Sequence, residues 1–228
     1  MPASPQSNNF TEAGTFVFSC LFETSPAHRA RGFFPRPPEE GNGLPSHILM
    51  DSAAIGRTLA RLTHEVAEKN KGAEGLCLLG IKRRGEIVAR RIAALMQKFY
   101  GASPPCAGID IGLYRDDLVS GYFVPDAAVN SPGFSVEGKH VVLCDDVLYT
   151  GRSVRAAIEA IFDLGRPARV SLLVLCDRGG REMPVSPDFV GKNVPTSRRE
   201  YIDVRLSELD GEDSLGITAP EEPARGQE

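Results

Sequence analysis

Three apolar runs constrain this chain more than any other feature: Leu76–Ile81 (LCLLGI), 140–147 (HVVLCDDV) and Arg169–Asp177 (RVSLLVLCD). None alternates apolar with polar residues, as a strand with one wet face would, so each reads as a strand covered on both faces. Segments of helical period lie between them, over Ser52–Asn70, 86–100 and 153–165, and a further strand is predicted at 108–114 (GIDIGLY). Buried strands that alternate with helices give an α/β fold, a mostly parallel sheet with helices on both faces. Such sheets bind ligands in the crevice beyond the carboxyl ends of their strands. Three loops meet that description, 82–85, 145–152 and 177–183, and no internal repeat is visible.

The remaining sequence narrows the class. With 228 residues, 42% of them hydrophobic and 25% charged, one core is the default. No apolar run approaches a membrane span, and TFVFSCLF (15–22) lacks a basic flank before it, so no membrane partner and a cytoplasmic location are expected. The five cysteines show no CxxC spacing, and Cys77, Cys144 and Cys176 fall inside apolar runs, as reduced structural thiols do. HEVAE (64–68) fails the HExxH pattern, so no protein-held metal is expected. Residues 1–46 are rich in Pro, Ser, Asn and Gly and read as a disordered extension, or as a translation start placed too far upstream. Residues 211–228 read as an acidic mobile tail, which leaves 47–210 as the folded domain. The net charge of -4 resides outside that domain, where 22 basic and 21 acidic residues leave +1, so any basic surface must be local.

Residues 141–153 (VVLCDDVLYTGRS) carry the chemistry. Val141, Val142, Leu143 and Cys144 supply a buried strand, and Asp145 and Asp146 follow at its carboxyl edge. Val147, Leu148, Tyr149, Thr150, Gly151, Arg152 and Ser153 then turn into a helix, whose first N–H groups and dipole form an anion cradle. Two carboxylates beside a phosphate cradle suit a phosphorylated sugar. Taken singly, Asp145 also reads as a turn acid, and Thr150 and Ser153 as helix caps. Neither GxxxxGK[ST] nor a GxGxxG after a strand competes.

With its hydrophobic run, two acids, spacer and Thr-Gly, this stretch resembles the 5-phosphoribosyl-1-pyrophosphate (PRPP) signature of type I phosphoribosyltransferases. RLTHEVAEKNKG, GIKRRGEIVARRIA, IDIGLYRDDL, DDVLYTGRSVRAAIEAI, DRGGREMPV and GKNVPTS resemble, more closely, the PyrR family of pyrimidine-operon attenuators with uracil phosphoribosyltransferase activity. The resemblance implies the type I fold with a small hood subdomain. It implies transfer of ribose 5-phosphate from PRPP to uracil, giving UMP and pyrophosphate, with magnesium held mainly by PRPP and not by the protein. Asp145 and Asp146 would hold the ribose hydroxyls, and 148–153 the 5-phosphate, within a PRPP stretch that spans 141–153. Lys82, Arg83 and Arg84 would grip pyrophosphate, although alone they read as a solvated basic turn. Arg115 and Asp116 would belong to a mobile segment, to about Phe134, that closes over PRPP; alone it reads as a surface loop. Asp177 and Arg178 would read uracil, in a loop where the family often has His and this chain has Gly180.

Helix Ser52–Asn70 adds a second surface. Ile55, Leu59, Leu62 and Val66 form a core stripe, and Arg57, Arg61 and His64 recur nearly opposite, so water meets a basic face. A solvated charged face accounts for that pattern as well as a binding surface does. The resemblance assigns Arg61, His64, Lys71 and Lys192 to a stem-loop in the leader mRNA of the pyrimidine operon, with UMP or UTP as effector. It also implies a homodimer or higher homo-oligomer. An attenuator with little catalysis, or a phosphoribosyltransferase for another base, are the alternative readings.

Overall fold

A computed structural model describes residues 47–114 and 132–218. The elements are β1 (His47–Met50), α1 (Ser52–Asn70), β2 (Leu76–Ile81), α2 (Arg84–Tyr100), β3 (Cys106–Ile109), a 3-10 turn (Gly112–Tyr114), β4 (His140–Leu148), α3 (Arg152–Leu164), β5 (Arg169–Asp177), β6 (Phe189–Asn193), β7 (Tyr201–Arg205), α4 (Ser207–Asp210) and β8 (Ser214–Thr218). Among them β3-β2-β4-β5-β6 form a wholly parallel sheet.

Successive residues of a strand point to opposite faces, and the apolar runs supply both. Leu76, Leu78, Val142, Cys144, Leu173 and Leu175 pack in one core with Leu59, Leu62 and Val66 of α1 and Val88, Ile92 and Met96 of α2. Cys77, Leu79, Val141, Leu143, Leu172 and Val174 pack in a second core with Val154, Ala157 and Ile161 of α3. Each helix is apolar on one side only, which is why two layers suffice. α1 starts where the Asp51 carboxylate accepts the Ala54 N–H at 2.7 Å, and ends at Lys71, which is left-handed with φ 58°. No helix among the described residues is long and apolar enough to cross a membrane.

Two sequence expectations need correction. The strand predicted at 108–114 runs instead from Cys106 to Ile109 and gives way to the 3-10 turn. β3 pairs only with β2, whose last partner is Ile81 opposite Ile109, and the Asp110 carboxylate then accepts the Gly112 N–H at 2.9 Å, which turns the chain. The expected mobile tail also begins too early, because 214–218 form β8. This strand pairs with both β1 and β7 in a second, antiparallel sheet, and Leu215 is fully buried in the core that α1 and α2 share. The sequence shows little of this, since the strand has only five residues and one of its two partners, β1, lies at the far end of the described chain. Residues 1–46 and 219–228 lie outside the described residues.

Arg91 of α2 ties the small sheet to the large one. Its guanidinium donates to Glu208 at 2.8 Å, to both oxygens of Asp213 at 2.7 and 2.8 Å, and to the Ser207 hydroxyl at 3.0 Å. The two acids hold its pKa above the ordinary arginine value, and Arg91 in turn holds both carboxyls below theirs.

Candidate active site

In the strand order β3-β2-β4-β5-β6 the chain leaves β2 in one direction, to β3, and returns on the other side, to β4. The crevice between the carboxyl ends of β2 and β4 is therefore the switch point where open parallel sheets place a ligand. Loop 82–85 enters it from β2, and 149–151 from β4.

Loop 82–85 sits close against β4. A Cβ on Gly85 would lie 2.5 Å from the Cys144 carbonyl oxygen and 3.0 Å from Asp145 Cα, and one on Gly80 would overlap the backbone of Gly85 and Glu86. Only glycine allows this approach. The Lys82–Arg83 peptide is cis. Lys82 and Arg83 are exposed, whereas Arg84 turns aside to pair with Asp210 of α4 at 3.0 Å. Its buried Nε has no hydrogen-bond partner. Of the three basic side chains, Lys82 and Arg83 remain exposed at the loop.

Asp145 and Asp146 lie inside β4, which continues to Leu148, rather than at its end. Asp145 is only 8% exposed and accepts the Asp146 N–H at 3.0 Å. Burial, and then the charge of Asp146, push its carboxyl well above the ordinary aspartate range. This acid pair gains by meeting hydroxyls or a cation. Val141, Val142, Leu143 and Cys144 are fully buried on the two faces of the sheet, so they position Asp145 and do not themselves reach the crevice.

Beyond β4, Gly151 takes φ 89° and caps α3 with no side chain of its own; the Arg152 N–H reaches the Thr150 hydroxyl at 3.4 Å, a long bond that an anion at this helix N-terminus can replace. The turn is braced from behind. The Thr150 carbonyl accepts both the Glu182 and the Met183 N–H at 2.9 Å, and a Cβ on Gly151 would meet Val185 at 2.5 Å. Arg181 donates to the Tyr149 carbonyl at 3.0 Å and to Asp177 at 2.6 Å. The turn 149–151 and loop 177–183 thus form one braced unit.

Asp177 and Arg178 are engaged within that unit. Asp177 also accepts the Gly179 N–H at 2.9 Å. Arg178 is buried with its guanidinium 4.0 Å from the centroid of the Tyr149 ring, and it donates to Thr196 at 2.9 Å, the Ser197 carbonyl at 3.1 Å and the Glu200 carbonyl at 2.8 Å. Its N–H goes to Leu148, and the Asp177 and Arg178 carbonyls accept from Val194 and Thr196. Each carbonyl keeps a second lone pair for a ligand. Tyr149 also explains Gly180, which has φ 75° and whose Cβ would lie 2.5 Å from the ring. No local pattern signals that Tyr149, Arg178 and Arg181 form one structure, because the contact joins loops that are separate in the chain.

The α1 face is only partly assembled into one surface. Arg61 lies across the edge strand β6, donating to the Val190 carbonyl at 3.0 Å and the Gly191 carbonyl at 2.7 Å, which brings it beside Lys192. His64 stacks on Phe99 at 4.8 Å and bonds Tyr100 through Nδ1 at 2.6 Å. Lys71 lies ten residues beyond Arg61, about 15 Å along the helix. Arg115 and Asp116 lie outside the described residues, and no group of three or more His, Cys, Asp or Glu placed to hold a metal occurs among the described ones.

The phosphoribosyl transferase domain family matches residues 47–208. A bifunctional protein PyrR of Clostridioides difficile is 52% identical over 169 residues, 74% of this chain and 96% of that protein. A second, of Thermus aquaticus, is 50% identical over 169 residues, 74% of this chain and 93% of its own length. Among solved structures, the hypoxanthine phosphoribosyltransferase of Trypanosoma cruzi superposes with a TM-score of 0.58 at 20% identity, over 78% of this chain and 98% of that one. At that identity the likeness is one of fold.

Proposed function

This chain belongs to the phosphoribosyl transferase domain family and to the family of bifunctional PyrR proteins, and from that premise we propose that it makes UMP and pyrophosphate from uracil and PRPP and regulates pyrimidine genes by binding leader mRNA. The observation that carries the enzymatic half is the acid pair of β4 standing next to the glycine turn and N-terminus of α3 at the switch point. The ribose 5-phosphate lies on the N–H groups of residues 150–153, and the ribose hydroxyls face Asp145 and Asp146. Their negative charge stabilises the oxocarbenium-like transition state. Pyrophosphate lies against the backbone of 82–84 with Lys82 and Arg83 at its rim. Magnesium arrives with PRPP as part of the substrate. Uracil lies beside 177–178 and donates a ring N–H to a carbonyl there, and Arg115 and Asp116 complete the cover over PRPP.

The regulatory half rests on Arg61, His64, Lys71 and Lys192, with UMP or UTP as effector, in a cytoplasmic homo-oligomer. Cations on this face contact phosphates and so supply affinity more than sequence reading. Both halves are tested directly. The purified protein is assayed with magnesium, PRPP and uracil, hypoxanthine or guanine; UMP is the expected product, and preference for a purine sinks the choice of base. Filter binding of leader RNA is expected to tighten when UMP is added, and indifference to UMP removes the regulatory reading.

A further inference from the structure

A groove of about 320 Å³ opens between β1, α1 and β6, away from the PRPP crevice. Leu49, Met50 and Ala54 give its lining an apolar part, and Arg57, Arg61 and Lys192 a cationic one. Its floor is backbone: a Cβ on Gly191 would overlap the Leu175 carbonyl oxygen and approach Thr58, so nothing larger than glycine lets α1 pack on β6 there. Arg61 is fixed by two carbonyls of the floor and by Glu65. Arg57 and Lys192 are exposed and pair with no acid among the described residues. Asp51, which precedes α1, is occupied in capping that helix.

We propose that this groove takes one unpaired nucleotide of a bound RNA, with its base against Leu49, Met50 and Ala54 and its phosphate between Arg57 and Lys192. The inference rests on the RNA-binding reading above and gives that surface a subsite. The volume lies at the small end of ligand pockets, about 300–1,000 Å³, which admits a nucleotide and no duplex. A lining that combines apolar side chains with two cations that have no acid partner among the described residues matches the two parts of a nucleotide. Proteins read RNA mostly at loops and bulges whose bases are splayed out in this way. His64, Phe99 and Tyr100 continue the surface along α1, so the chain entering the groove passes a ring cluster.

The test titrates the full-length protein with the leader hairpin, with the same RNA closed into duplex through its loop, and with hairpins carrying one abasic position at a time. Ala54→Phe fills the groove and leaves its charges, whereas Arg57→Ala removes a charge and leaves the volume; melting curves check that both fold. Ala54→Phe is expected to weaken loop binding about tenfold, and one abasic position to weaken the native protein similarly without further effect on the variant. Arg57→Ala is expected to weaken binding and to flatten the slope of log K against log salt by about 0.7. If Arg57→Ala binds with native affinity, or every abasic position is tolerated alike, the subsite is overturned while the RNA reading stands. If the native protein binds loop and duplex equally, both fall. Competition by a hexa-aspartate peptide as effective as the loop RNA overturns the subsite in favour of an acidic protein partner.

Discussion

Asp145 is held at a disadvantage that its proposed role at the ribose hydroxyls explains. Folded, it keeps its proton to higher pH than it does unfolded, because burial and Asp146 oppose its charge. The folded state therefore binds more protons than the unfolded one above the ordinary aspartate pKa of about 4, and the contribution of Asp145 to stability falls as pH rises through that window. Asp145→Asn has no such charge. Its melting temperature is expected to exceed the native value by a few degrees at pH 7, about 2–4 °C per kcal/mol for a domain of this size, with the gap closing towards pH 4. Activity is expected to fall about 10²–10³-fold; a gap between variant and native protein that is no larger at pH 7 than at pH 4 contradicts the account. Tyr149 and Gly180 form a second residue-scale pair. Gly180→Ala is expected to destabilise by about 1–3 kcal/mol in urea unfolding, through the Tyr149 ring and the positive φ. In the Tyr149→Ala background the same change is expected to cost less, with a coupling of about 0.5–3 kcal/mol; strict additivity would show that the ring is not what excludes a side chain.

The elements matter through how closely they approach each other. α2 starts two residues earlier than its apolar period indicates, because the backbone of 84–85 rests on β4. Gly85→Ala forces that contact apart by way of two backbones that have no side chain to move. It is expected to lower stability by about 1–3 kcal/mol and to raise KM for PRPP more than for uracil, as read from initial rates. An unchanged KM for PRPP would mean that loop 82–85 does not need its place against β4. The helix faces themselves were legible. The stripe Ile55, Leu59, Leu62, Val66 was read from spacing alone and is buried throughout, because one period of 3.6 suffices to define a side. The end of β3 was not legible, since a strand stops where its partner stops.

At the scale of the whole molecule the two ends of the folded region meet. β8 lies between β1 and β7, so a strand near residue 215 holds one near residue 48. Leu215→Ala is expected to destabilise by about 2–5 kcal/mol and to raise amide exchange in β1 as well as in β7; exchange confined to β8 would show that the small sheet is not one unit. The small sheet borders the groove through Leu49 and Met50, and α4, which joins its strands β7 and β8, reaches loop 82–85 through Asp210 on Arg84. What the sequence alone determined was the buried parallel sheet, the two-sided core and the acid pair followed by a glycine turn, because each is encoded within one strand or one turn and needs no knowledge of distant partners. Only the tertiary structure decided the small sheet, the Tyr149–Arg178–Arg181 brace, the turning of Arg84 away from the loop and the groove beside Lys192. These depend on pairings between remote segments, and the free energy that selects them comes from packing that no local pattern records.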